Sequence, residues 1–232
     1  MIPEILLVVG SPRGRKSVSH TLAEYLGGQL RDRKVSVRTL YLAGMRNSPE
    51  RQKEFQDSLS RSGLTVFLFP LYADQLPSIV VEALEDWADQ RSVNPLGSDR
   101  KLAAVVNCGF PEAGQNDAAL AVMERFAAVE GFEWLGGLTL GGGGGIPPGD
   151  SLSRMGGMAA NLRWALDLSA ISLAAGLPLP GEAWQAVRKP LMPAWLYLFF
   201  GNLGWYWGAW KSGVLTRLRD KPYEAPAPSA RK

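Results

Sequence analysis

The chain has 232 residues, enough for one α/β domain of ordinary size with an extension and too few for two full enzyme domains. Hydrophobic residues at 46% and charged residues at 20% exclude a wholly disordered chain, and a single cysteine, Cys108, excludes an internal disulfide or a cluster held by several cysteines of one chain. The net charge of +3 is unevenly placed, with 17 Lys and Arg against 19 Asp and Glu in residues 1–180 and 8 against 3 in residues 181–232.

The first element is the apolar run Ile5–Val9, continuous enough for a central strand buried on both faces. No basic stretch precedes it and it is only five residues long, so it reads as a strand and not as an export signal, and the lone cysteine fits a reducing cytoplasm. Val18, Leu22, Tyr25, Leu26 and Leu30 follow at helical spacing. Val35–Leu42 predicts a second strand, Glu50–Ser62 a polar helix, and Leu64–Phe69 a third strand that Pro70 closes. Pro77 opens a helix with Ile79, Val80, Ala83, Leu84 and Trp87 on one face. Leu102–Val106 predicts the fourth strand, Asp117–Glu130 an alanine-rich helix, Trp134–Leu140 the fifth strand and Ser153–Ala174 a long last helix.

Five strands alternating with five helices imply parallel strands joined by right-handed crossovers, and the commonest doubly wound order at this length is 2-1-3-4-5. Ligands of such sheets bind outside the carboxyl ends of the strands where the order reverses. The loops to inspect are therefore Gly10–Ser19, Pro70–Pro77 and Asn107–Asp117.

The first loop, Gly10-Ser-Pro-Arg-Gly-Arg-Lys-Ser-Val-Ser19, brings hydroxyls, glycines and three cations to a helix N-terminus. Unpaired amides and the helix dipole favour an anion there, and the loop reads as a phosphate site, although Ser17 or Ser19 could serve only as a helix cap. It has neither the G-x-G-x-x-G spacing of a dinucleotide fold nor the Gly-Lys-Ser/Thr ending of a Walker loop. Gly10-Ser11-Pro12-Arg13, followed by Ser17 and Ser19 before an amphipathic helix, resembles the phosphate loop of the flavodoxin-like NAD(P)H-dependent FMN reductases and quinone reductases. Pro70-Leu-Tyr-Ala-Asp-Gln-Leu-Pro77 is similar to that family's flavin loop, with Tyr72 as the aromatic.

The resemblance implies a flavodoxin-like, doubly wound five-stranded parallel sheet carrying FMN. Ser11, Arg13, Ser17, Val18 and Ser19 would hold its phosphate, while Pro70, Leu71, Tyr72, Ala73 and Asp74, with Asn107 and Gly109, would border its ring. The implied activity is two-electron transfer from NADPH or NADH to a small-molecule acceptor such as a quinone or free flavin, with no catalytic side chain and no metal, because flavin N5 carries the hydride. A homodimer is the implied assembly, and no nucleic-acid partner is expected. Two alternatives stay open: an electron carrier of the flavodoxin type without NAD(P)H activity, and a flavin-less scaffold that binds a partner or membrane. Cys108 reads as a small buried hydrophobe, His20 as a surface or capping residue, Asp74 as a turn residue or ring contact, and Gly141–Gly145 as a hinge or a close-approach wall at the edge of the site, with mobility the expectation.

Five of the eight tryptophans lie in residues 181–232, which places a compositional boundary near Pro178–Gly181 and predicts a mainly helical extension. Residues 190–210 form an uncharged run, PLMPAWLYLFFGNLGWYWGAW, between Lys189 and Lys211. Pro193, Asn202 and three glycines weaken it as a membrane span. The expectation is that the extension packs on its own domain or on a dimer mate, with peripheral membrane contact as the alternative and residues 225–232 disordered.

Overall fold

The computed structural model describes residues 4–93 and 100–221. The disorder expected over 225–232 lies outside the described residues. Five parallel strands, β1 (Ile5–Val9), β2 (Val37–Tyr41), β3 (Leu64–Pro70), β4 (Lys101–Asn107) and β5 (Glu133–Leu140), form one sheet in the order β2-β1-β3-β4-β5. This is the flavodoxin-like arrangement that the alternation of apolar runs and helical segments predicts. Ile5 pairs with Val37 on one side and with Leu64 on the other, and the register continues unbroken to Val9. All five residues of β1 are fully buried, each apolar side chain contributing roughly 1.5–3 kcal/mol.

Side chains of one strand point alternately to opposite faces, so an uninterrupted apolar strand must be covered twice. Ile5, Leu7 and Val9 face Leu22, Leu26 and Leu30 of α1 (Val18–Asp32), together with Leu162, Leu166 and Leu173 of α5 (Ala160–Ala175). Leu6 and Val8 join the opposite layer, with Phe55 and Leu59 of α2 (Pro49–Arg61), Val80 and Trp87 of α3 (Ser78–Val93), and Met123 and Ala127 of α4 (Asp117–Glu130). Trp87 stacks among Phe67, Phe126 and Phe132, the last with its ring centroid 4.5 Å away.

Helix boundaries follow local chemistry. Ser48 caps α2 with Pro49 at its first position, and Gly131 and Gly176 end α4 and α5 in the left-handed conformation. The predicted last helix starts later than expected. Residues Leu152–Ala159 form 3₁₀ turns interrupted at Gly156 (φ 54°, ψ −137°), and regular helix begins only at Ala160. A glycine pair at 156–157 lets the chain leave helical geometry that an unbroken apolar period would have continued.

By internal contacts the chain divides into two units, Met1–Met192 and Pro193–Lys232. A short helix, α6 (Gly181–Val187), belongs to the first unit, with Ala183 and Val187 in the α1–α5 layer. The second unit contains α7 (Ala194–Lys211) and a 3₁₀ turn at Leu215–Arg217. Among the described residues no helix is long and apolar enough to cross a membrane.

Candidate functional site

The loop after β1 begins with a close approach. Gly10 donates its N–H to Leu68 O at 2.8 Å, and a Cβ there would stand 3.0 Å from the Phe69 Cβ and collide with Val80. Ser11 is buried, and its Oγ accepts from the Arg13 N–H at 3.4 Å. Gly14, at φ +52°, starts a single 3₁₀ turn, and Arg13, Arg15 and Lys16 project outward.

Ser17 is the N-cap of α1. Its Oγ accepts from the His20 N–H at 3.2 Å and donates to Gly14 O at 2.6 Å. Capping is thus its structural role, and it does not by itself select an anion. The cap leaves Val18 and Ser19 in the first turn of α1, at the positive end of a 15-residue helix.

Asn107, at the end of β4, connects the three loops. Its Nδ2 donates to Ser19 Oγ at 3.0 Å and to Phe69 O at 3.0 Å, while its carbonyl accepts from the Leu71 N–H at 2.8 Å. Asn107 and Ser19 are both buried. Pro70 pairs with Asn107 in the sheet register, so the starts of the second and third loops leave the sheet side by side.

Beyond Leu71 the second loop folds into a tight hairpin. Tyr72 and Gln75 exchange backbone bonds of 2.9 and 3.0 Å around Ala73 (φ 46°) and Asp74 (φ 60°). Two successive left-handed residues make a type I′ turn, usually built from glycine or asparagine. Here Ala73 holds it without such help, a local strain of roughly 1 kcal/mol. Asp74 is therefore the second corner of a turn. The turn sets Tyr72, 43% exposed, on the surface beside it.

In the third loop Gly109 is exposed, with no atom within 4 Å of where a Cβ would lie, and Phe110 beside it is 52% exposed. Cys108 is buried; Asn116 Nδ2 donates to its Sγ at 3.3 Å, and burial pushes the thiol pKa up, so it is neutral at ordinary pH.

The glycine run after β5 is a wall and not the mobile loop expected of it. Gly142 donates to Phe110 O at 2.6 Å and Gly143 to Cys108 O at 2.8 Å. A Cβ at Gly141 would lie 2.7 Å from Ala113 N, and one at Gly143 would lie 2.9 Å from Cys108 O. Small residues are needed there because two backbones touch.

Three long-range links escape a reading of the sequence. Thr21 Oγ1 accepts from the Gly149 N–H at 2.9 Å and donates to Pro147 O at 3.3 Å, fastening the loop after β5 to α1. Arg188, just after α6, forms a bidentate pair with Asp117 at 2.7 and 3.2 Å and donates to Thr139 at 2.9 Å, joining α4 to β5. His20 is not a plain surface residue: its Nδ1 lies 2.9 Å from the Tyr41 hydroxyl, and the Arg15 guanidinium sits 4.8 Å from the Tyr41 ring centroid. Burial lowers the His20 pKa, Glu24 opposes this, and Arg15 reinforces it, so the imidazole is neutral at pH 7. Only Phe110 left a local trace, as a large apolar residue in a Gly/Pro loop.

Clefts also lie outside the loop cluster, among them one of about 620 Å³ within the second unit, bordered by Trp205, Tyr206, Ala209 and Leu218. Another of about 510 Å³ is lined by Gly44, Arg46, Ser78 and Glu82, and one of about 480 Å³ by His20, Glu24, Asp32 and Asp150. Among the described residues no cluster of His, Cys, Asp and Glu is suited to a metal ion.

No protein-family model and no curated protein sequence matches the chain. Solved structures do. The chain is 13% identical to an FMN-dependent NADH-azoreductase from Bacillus anthracis, with TM-score 0.54 over 74% of this chain and 99% of that one. It is 16% identical to an NAD(P)H:quinone oxidoreductase from Methanothermobacter marburgensis, with TM-score 0.51 over 73% of this chain and 95% of that one. A Streptococcus flavodoxin is 15% identical, with TM-score 0.50 over 75% of this chain and 99% of its own. At such identities the likeness is one of fold, and it agrees with the strand order: the chain has a flavodoxin-like fold, shared with quinone reductases, azoreductases and flavodoxins.

Proposed function

We propose that this protein is an FMN-dependent NAD(P)H oxidoreductase that passes two electrons to a quinone, a flavin or a similar small electrophile. The observation that carries the reading is Asn107, whose one side chain and carbonyl tie together the loops after β1, β3 and β4. Those loops stand at the carboxyl ends of the strands where the order reverses, the position at which doubly wound sheets bind ligands.

The residues fit the cofactor. The first-turn amides of α1 suit a phosphate, Arg13 adds a cation, and Ser11 and Ser19 accept hydrogen bonds through Oγ without using their own O–H in them. Ser17 would contribute mainly by holding the helix start in place. Exposed Tyr72 and Phe110 offer flat apolar surface, the I′ turn presents the backbone of Ala73 and Asp74, and open space beside Gly109 admits a ring. Bound FMN supplies hydride exchange at N5, which needs no general base from the protein. The chain's part is to hold the loops rigid, through Asn107 and the glycine wall, and to leave one side accessible to nicotinamide and acceptor.

A homodimer belongs to the same proposal. Trp164 and Ile171, seven residues apart on α5, are 47% and 52% exposed and share a helix face. A soluble, cytoplasmic setting is the one in which NAD(P)H would reach the site.

The test is an absorbance titration of purified protein with FMN, followed by anaerobic NADPH and NADH. Saturable binding with rapid bleaching by either nucleotide supports the reductase. Bound flavin that neither nucleotide reduces would leave a flavodoxin-type carrier, and failure to bind FMN would reduce the protein to a scaffold. Sedimentation of the same sample tests the dimer.

A further inference from the structure

The second unit carries a surface that the proposed chemistry does not use. On α7 Trp195 is 70% exposed, Trp205 81%, Trp207 61% and Trp210 67%, and Phe199, Phe200, Leu203 and Tyr206 are each more than half exposed. At 100° per residue Trp195, Phe199, Tyr206 and Trp210 form one stripe, while Trp205 and Trp207 lie off it on either side. Such a continuous aromatic surface marks an interaction site.

Three features identify the occupant. First, the surface is rich in Trp and Tyr, whose apolar rings and polar N–H or O–H tips suit the boundary between hydrocarbon and water better than a dry core. Secondly, no charged residue lies between Lys189 and Lys211, and from Lys211 to Lys221 four cations (Lys211, Arg217, Arg219, Lys221) face one carboxylate, Asp220. Two copies of this segment would bring like charges together, whereas an anionic surface complements them. Thirdly, α7 is not long and apolar enough to span a bilayer, so it would lie along the surface, where its roughly 27 Å would rest among headgroups.

We infer that α7 and the basic segment after it dock the protein on an anionic lipid surface. The rings enter the headgroup boundary, Lys211 and Arg219 meet lipid phosphates, and Arg217 stays paired with Asp220 at 2.7 Å. The inference is independent of the FMN reading, since it concerns a different unit and needs no flavin.

The experiment is flotation of the full chain with vesicles of phosphatidylcholine alone and of phosphatidylcholine mixed with phosphatidylglycerol, followed by tryptophan emission. The expected result is flotation with the anionic vesicles, a blue-shifted emission, and weakening by added salt. Replacing the exposed pair Trp195→Ala and Trp210→Ala should abolish flotation. Lys211→Gln with Arg219→Gln should weaken partition by about fivefold per cation removed. All variants should keep the thermal midpoint of the first unit. Failure to float, flotation insensitive to both double substitutions, or equal flotation with neutral vesicles would overturn the inference. So would a concentration-dependent dimer that the tryptophan substitutions dissolve in place of lipid binding.

Discussion

Replacing Asn107 with alanine removes both Nδ2 donations, to Ser19 Oγ and to Phe69 O, at a buried position, and leaves the Asn107 carbonyl bond to Leu71 in place. A lost hydrogen bond lowers stability by about 0.5–1.5 kcal/mol, and a buried carbonyl left unsatisfied by about 1–3 kcal/mol. The Phe69 carbonyl keeps the sheet bond from the Asn107 backbone N–H that the Pro70–Asn107 pairing supplies, and the Ser19 hydroxyl can rotate, so the expected loss is that of two hydrogen bonds, about 2 kcal/mol. For a chain of this size that corresponds to a fall of roughly 4–8 °C in the thermal midpoint. Asn107→Asp should do no better, because a carboxylate offers two acceptors where the site needs two donors. The assay is urea unfolding followed by far-ultraviolet circular dichroism, paired with FMN titration at a temperature where the variant is folded. If Asn107 fixes three loops about one ligand, affinity falls with stability. An alanine variant whose unfolding free energy changes by less than about 0.5 kcal/mol and whose FMN affinity is unaltered would refute the reasoning.

Ser17→Ala should lower stability by about 1 kcal/mol through loss of the α1 cap, visible in the urea midpoint, and Ser17→Asp should restore it while weakening FMN by repelling its phosphate. Ala73→Gly, which relieves a left-handed alanine, should raise stability by up to about 1 kcal/mol in the same denaturation assay, whereas Ala73→Val should lower it. Gly141→Ala forces a Cβ against the backbone of the third loop and should lower stability by about 1–3 kcal/mol in thermal melts. Burial, and then the hydrogen bond to Asp167, push the Tyr25 phenol from an ordinary 10.0 up to about 12. Between those values the unfolded chain releases a proton that the folded chain keeps, so the stability this group gives is present below pH 10 and is lost as pH rises toward 12. Tyr25→Phe should flatten that part of the alkaline melting profile.

The sheet was legible because burial on both faces leaves a continuous apolar run, and Ile5–Val9 and the first six residues of Leu64–Pro70 could hardly be anything else in a chain of this length. Helix α4 was legible to the residue, since Asp117 opens it and Gly131 closes it with a left-handed cap. The start of the last helix was not, because Gly156 breaks it inside an apolar period that would otherwise continue. Within the site, the loops followed from topology, but the bonds that assemble them did not. Asn107 reaches Ser19 across 88 positions, Thr21 reaches Gly149 across 128, and Arg188 reaches Asp117 across 71. No periodicity records such pairs, which exist only once the strands are in register.

The glycine run shows the same limit from the other side. Five adjacent glycines suggest a hinge by composition, because glycine permits many conformations in the unfolded chain. In the folded chain Gly141 and Gly143 are there for want of space, pressed against the backbone of the third loop, and that contact braces the loop carrying Gly109 and Phe110. Rigidity on this side and the Asn107 link on the other have a common consequence. Both sides of the loop cluster are braced by bonds within the chain, so the binding of a flat cofactor proposed for it would cost little in loop ordering.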